Sequence, residues 1–160
     1  MNTTEITSSD ILSLSRFIIE KTGIDTIKKR YGIPENETIL LFWSADLFDT
    51  IYEIRGSQER KRVAGSSTGW KIKMENSIVL TDVNLYYLNL INCSSVYYVP
   101  TSSIQDIEVS ATSDMMIYLN NGVSKIIPNS LFFPNGKIGK PDSVKKETIN
   151  AIASTILHFT

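Results

Sequence analysis

One cysteine, Cys93, and one histidine, His158, are all the chain of 160 residues contains of either type. A single cysteine excludes an internal disulfide and any Cys-x-x-Cys metal or redox pair, and the reading that follows is a cytoplasmic protein. A single histidine leaves any zinc site dependent on carboxylates, and no His-Glu-x-x-His pair exists. Charge of one sign is also lacking: 16 basic against 17 acidic residues give a formal charge of -1. No global positive field exists to gather a polyanion, so nucleic acid is not the expected partner. No apolar run approaches the ~18 residues of a membrane span, and MNTTEITSSD has no basic leader region, so no transmembrane segment is expected.

What is present is an ordinary globular composition, 42% hydrophobic and 21% charged, enough apolar material to offset chain ordering. SSDILSLSRFIIEKTG offers Ser8, Ser9 and Asp10 as caps and a stripe of Ile11, Leu12, Leu14, Phe17 and Ile18 before Gly23, the pattern of an amphipathic helix. IDTIKKRYG spaces Ile24, Ile27 and Tyr31 by about one turn and stops at Gly32, a second, shorter helix. These form a helical arm over residues 1–34, the second unit being residues 35–160.

From Glu37 the period shortens. TILLFW, TIYEI, WKIKM, SIVLT, LYYLNL, VYYVP, MMIYL and VSKII are short β-branched and aromatic runs with short connections. Such spacing favours antiparallel strands, because parallel βαβ units need a crossover of a dozen or more residues. Asn121-Gly122 marks a hairpin, since both residue types tolerate positive φ. After Pro141, the positions Val144, Thr148, Ile149, Ile152, Ile156 and Phe159 recur at helical spacing, predicting a terminal helix over 142–158 that covers the sheet.

The chemistry-bearing candidates are few. Gly65-Ser-Ser67-Thr-Gly69 satisfies the G-x-S-x-G pattern, yet no strand leads into it and no helix follows, so Ser67 lacks the context of a nucleophile elbow. His158 near the chain end reads as an exposed residue of a last helical turn, although its ordinary pKa suits general acid or base work. Asp46, Asp49 and Glu53 cluster in sequence without the spacing of a calcium loop, and read as solvated acids. Arg55, Arg60, Lys61 and Arg62 against Glu59 leave a local excess of three positive charges, which arginine forks could turn on a phosphate. They sit in GSQERKRVAGSSTG, where seven of fourteen residues are Gly, Ser or Thr, the composition of a loop that is costly to order. Tyr86 and Tyr87, then Tyr97 and Tyr98, fall in consecutive strands, so alternation predicts one of each pair inward and its neighbour outward. Outward tyrosines are rigid anchors for protein contacts.

The stretches ENETILLFWSADLF, SIVLTDVNLYYLN, VYYVPTSSIQDIEVS and MMIYLNNG, with the closing helix, resemble the bacterial pleckstrin-homology-like and GRAM-like domains over roughly residues 35–160. Leu80, Thr81 and Asp82, then Leu85 and Tyr86, then Val99, Pro100 and Ile104 carry the resemblance. It implies an α+β fold: a curled antiparallel sheet forming a barrel of the pleckstrin-homology type, capped by the C-terminal helix, with the N-terminal helical arm added. That scaffold serves lipid, peptide and protein binding alike. Such domains commonly carry basic residues where this chain has Val83 and Asn84.

The leading functional expectation is a non-enzymatic protein-binding domain without cofactor or metal, acting as a bacterial immunity protein that binds and inhibits a toxin. Its contact surface would combine Tyr86, Tyr87, Tyr97 and Tyr98 with Asp46 and Asp49, the acids opposing a basic partner. The alternative is peripheral binding to an anionic lipid headgroup or phosphate through Arg55, Arg60, Lys61 and Arg62, joined by Lys71 or Lys73. An enzyme of unrecognised class is the third reading.

Overall fold

A computed structural model describes residues 6–44, 77–88, 96–128 and 142–160. The first helix, α1 (Ser8–Thr22), is capped one residue before the first expected cap. Thr7 is its N-cap: its hydroxyl accepts from the Asp10 amide at 3.2 Å, and Asp10 Oδ2 accepts from the Thr7 amide at 3.0 Å. This reciprocal box satisfies amides that the helix start leaves without intrahelical partners. Gly23, at φ +97°, ends α1 and lets the chain turn directly into α2 (Ile24–Tyr31). Gly32, in the left-handed region at φ +68°, terminates α2 as expected.

Among the described residues seven strands follow: β1 (Ile39–Ser44), β2 (Ser77–Thr81), β3 (Asn84–Leu88), β4 (Val96–Pro100), β5 (Ile104–Val109), β6 (Met115–Leu119) and β7 (Ser124–Ile127). The last element is α3 (Asp142–Phe159), the expected terminal helix. The strands pair antiparallel in two sheets, one in the order β1-β2-β3-β4 and the other β5-β6-β7.

The α+β class is therefore observed, but the curled barrel of pleckstrin-homology or GRAM type is not. Both sheets are open and uncurled, and among the described residues no strand belongs to both. The physical break is local. Pro100 has no amide to continue a ladder, the Thr101 amide donates to Val83 O at 2.8 Å, and a 3-10 turn over Thr101–Ser103 redirects the chain before β5 begins a separate sheet. Repeated short strands fix antiparallel pairing; they do not dictate that the ladder closes on itself.

The hairpin at Asn121-Gly122 forms, with a different turn from the one expected. Only Gly122 has positive φ, +87°; Leu119 exchanges backbone bonds with Gly122 and Val123. This is a three-residue loop closing on a left-handed glycine instead of a two-residue turn. A matching loop joins β5 to β6, where Ser113 takes φ +67° without being glycine.

One buried cluster unites the elements. Ile11 and Ile18 of α1, Ile27 and Tyr31 of α2, Leu41, Phe42 and Trp43 of β1, Ile117 of β6 and Ile149, Ile152 and Ile156 of α3 all belong to it. The helix α1 packs on β1 and on α3, while α3 packs on β5. Polar contacts among the described residues tie the arm down: the buried Ser15 hydroxyl accepts from the Phe42 amide at 2.8 Å, the Ile6 amide donates to Glu147 Oε2 of α3 at 2.6 Å, and the Tyr31 hydroxyl is hydrogen-bonded to that of Ser77. Among the described residues no helix is long and apolar enough to cross a membrane.

Candidate functional site

The four tyrosines lie on β3 and β4, which pair with Tyr86 opposite Tyr98 and Tyr87 opposite Tyr97. Directly opposed side chains share a sheet face, so the first pair occupies one face and the second pair the other. Burial does not follow that alternation. Tyr86 and Tyr87 are both buried, whereas Tyr97 is 49% and Tyr98 62% exposed. The expectation of one inward and one outward tyrosine per pair is thus corrected. The controlling variable is position across the sheet: among the described residues β3 has neighbouring strands on both sides and β4 on one. On the Tyr86 face the arm adds cover, with the Tyr31 ring edge-on at 6.4 Å.

Each exposed ring rests on a buried one. Tyr98 lies 6.1 Å from Tyr86 in a tilted arrangement, and Tyr97 lies 5.7 Å from Tyr87 edge to face. These separations fall within the range of favourable aromatic pairs. Burial, followed by the neighbouring Tyr97, raises the Tyr87 pKa, so its phenol stays protonated well above neutrality.

Beneath Tyr86 is a polar cluster that sequence reasoning missed. Glu37 is only 6% exposed, and its Oε1 accepts from the Thr81 hydroxyl at 2.6 Å and the Tyr86 hydroxyl at 2.8 Å. Asn84 Nδ2 donates to the Tyr86 oxygen at 3.2 Å. Burial, partly offset by that Asn84 bond and reinforced by Glu37, pushes the Tyr86 pKa up to about 12. Tyr31, whose hydroxyl is hydrogen-bonded to Ser77, is also raised, chiefly by burial. A carboxylate removed from water requires donors, and here two hydroxyls of the first sheet supply them.

The Leu80-Thr81-Asp82 signal belongs to the same architecture. Thr81 Oγ1 accepts from the Val83 and Asn84 amides at 3.1 and 3.0 Å, forming the β2-β3 turn. Asp82 Oδ1 accepts from the Thr38 amide at 2.9 Å and the Asp82 amide donates to Thr38 O at 3.1 Å. Leu85, Val99 and Ile104, other carriers of the family resemblance, are core residues. Their shared pattern is a packing and turn pattern.

Several predicted positions lie outside the described residues: Asp46, Asp49 and Glu53, the basic group Arg55, Arg60, Lys61 and Arg62, then Ser67, Lys71, Lys73 and Cys93. The structure therefore brings Tyr86, Tyr87, Tyr97 and Tyr98 together without relating them to the acids or the basic loop. His158 is exposed in the last turn of α3, its ring 5.4 Å from that of Phe159. Among the described residues no three His, Cys, Asp or Glu side chains converge as a metal centre requires.

No protein-family model matches the chain, and no curated protein or solved structure matches it either.

Proposed function

We propose that this protein is a non-enzymatic binding domain that engages a protein partner through the exposed rings of Tyr97 and Tyr98. One observation carries the reading: both rings are solvent-exposed yet rest against buried tyrosines of the neighbouring strand. Aromatic side chains already held by a sheet lose little conformational freedom on association, and tyrosine offers apolar area and a hydroxyl together. Tyr86 backs Tyr98 on one face of the sheet and Tyr87 backs Tyr97 on the other, so the partner straddles strand β4 to meet both exposed rings.

The partner class we favour is a toxin that this chain inhibits, with Asp46 and Asp49 opposing its basic groups. That part rests on residue chemistry alone. The headgroup reading through Arg55, Arg60, Lys61 and Arg62 is the competing outcome, with no contact among the described residues favouring it.

The test is recovery of the partner from the native organism, including products of neighbouring genes, followed by titration calorimetry at two salt concentrations. Tyr97→Ala with Tyr98→Ala should weaken binding about 30-fold, the ~2 kcal/mol of a modest hot spot. Unchanged affinity in that variant, with loss on neutralising Arg60, Lys61 and Arg62, overturns the reading in favour of the anion site.

A further inference from the structure

The outer face of the three-stranded sheet has an unusual residue set. Register places Asp106, Tyr118 and Ser124 in one row across β5, β6 and β7, and Glu108, Met116 and Ile126 in the next. The opposite face carries Ile107, Ile117, Met115 and Ile127, all buried. Asp106, Glu108, Ser124 and Ile126 are exposed, while Met116 and Tyr118 are half-buried. An outward β face usually mixes charges of both signs and keeps apolar groups few. Here none of the six positions is basic, and three are apolar or aromatic.

The two carboxylates stand two residues apart on one strand, ~7 Å in an extended chain. Among the described residues no basic side chain forms an ion pair with either. Their field is felt by Tyr118: its hydroxyl donates to Glu108 Oε1 at 3.3 Å, and its pKa is raised first by the charge of Glu108 and further by Asp106. Beside them Ile126 is 54% exposed at the edge strand, and Val123 of the adjoining turn is exposed as well. Among the described residues, the face thus combines two carboxylates and no basic group with an apolar strip running through Met116 and Ile126.

From this combination we infer that the outer face of β5, β6 and β7 is a docking surface for a basic amphipathic segment of a protein partner. Lys or Arg groups of that segment pair with Asp106 and Glu108, and its apolar side chains cover Met116 and Ile126. Complementary charge sets the sign of the occupant: an anionic lipid or nucleic acid would be repelled, whereas a cationic peptide is drawn in and oriented. The apolar strip separates docking from loose counterion attraction, because burial of Ile126 requires contact. This surface is separate from Tyr97 and Tyr98 and does not depend on them.

Amide-resolved NMR titration of the full chain tests it, using a decapeptide of alternating Lys and Leu, its Glu and Leu counterpart, and decalysine. The Lys and Leu peptide should move the amides of residues 106–108, 116–118 and 124–126. Its affinity should fall at least tenfold in Asp106→Asn with Glu108→Gln, and separately in Ile126→Ser, while Tyr97→Ala with Tyr98→Ala leaves it unchanged. Retained thermal unfolding in each variant excludes misfolding as the cause. Shifts scattered over the surface, equal shifts with the Glu and Leu peptide, or equal binding by decalysine and by the Ile126→Ser variant overturn the inference. Shifts centred on residues 97–98 instead would also overturn it and leave the proposed partner surface standing.

Discussion

At the scale of single residues, several buried polar side chains, Ser15, Glu37 and Thr81 among them, have named partners. Ser15 is buried, and its oxygen is the acceptor of the Phe42 amide. Ser15→Ala removes the acceptor while leaving the amide inside, so unfolding stability should drop by about 1 to 3 kcal/mol, read by urea denaturation. A loss under half a kcal/mol would mean that water reaches the strand. Tyr86 yields a pH prediction. Its folded pKa is raised from 10.0 to about 12, so the fold favours the protonated phenol. Its contribution is complete below pH 10 and is lost as pH rises through 12, because the unfolded chain releases this proton first. The stability difference between the native chain and Tyr86→Phe should shrink across that window, and absorbance at alkaline pH should show one phenol fewer ionising late in the variant. A difference that stays flat from pH 9 to 12 would contradict the burial of the phenol, the first cause of the shift, together with its bond to Glu37.

At the scale of elements, helix α3 is the clearest case of pattern becoming packing. Ile149, Ile152 and Ile156 are wholly buried on one stripe, and Ser154 is exposed. Ile152→Asp places an unpaired charge in the core and should destabilise the fold by about 3 kcal/mol or more. Ser154→Asp, on the opposite side of the same turn, should stay within about 0.5 kcal/mol. Similar losses in chemical denaturation for both would show that the stripe does not face the core. The start of α1 gives a smaller effect. Thr7→Ala breaks the reciprocal box with Asp10 and should cost about 1 kcal/mol, with a matching fall in the unfolding midpoint. The expected caps Ser8, Ser9 and Asp10 missed Thr7 by one position, because several adjacent small polar residues satisfy the same local rule and only the realised backbone selects among them.

At the scale of the whole molecule, the arm and the sheets share one core. Ile11, Ile18, Ile27 and Tyr31 lie in the same cluster as Phe42, Ile117 and Ile152, and Glu147 holds the Ile6 amide across nearly the full chain length. Unfolding should therefore be a single transition, with tryptophan emission and far-ultraviolet circular dichroism coinciding. Thr7→Ala should shift both probes together. An earlier loss of helical signal, with emission unchanged, would show that the arm melts by itself. The two proposed surfaces belong to different sheets, β4 of the first and β5 to β7 of the second.

Local order was legible in the chain itself. The 3.6-residue stripes of α1, α2 and α3, the stop at Gly32, the short antiparallel strands and the hairpin at Gly122 all follow from side-chain periodicity and backbone sterics, which act over a few residues. What only the tertiary structure decided is how those elements meet. Whether the described strands close into a barrel or remain two open sheets depends on ladder bonds between distant residues, and here β4 and β5 fall in different sheets. Whether Tyr86 is buried and Tyr98 exposed depends on which strand ends the sheet, a fact invisible to alternation along either strand. Glu37 reads as an ordinary solvated acid until Thr81 and Tyr86, 44 and 49 residues away, are brought to its side. Periodicity assigns a residue to a face; only long-range pairing and burial determine what that face meets.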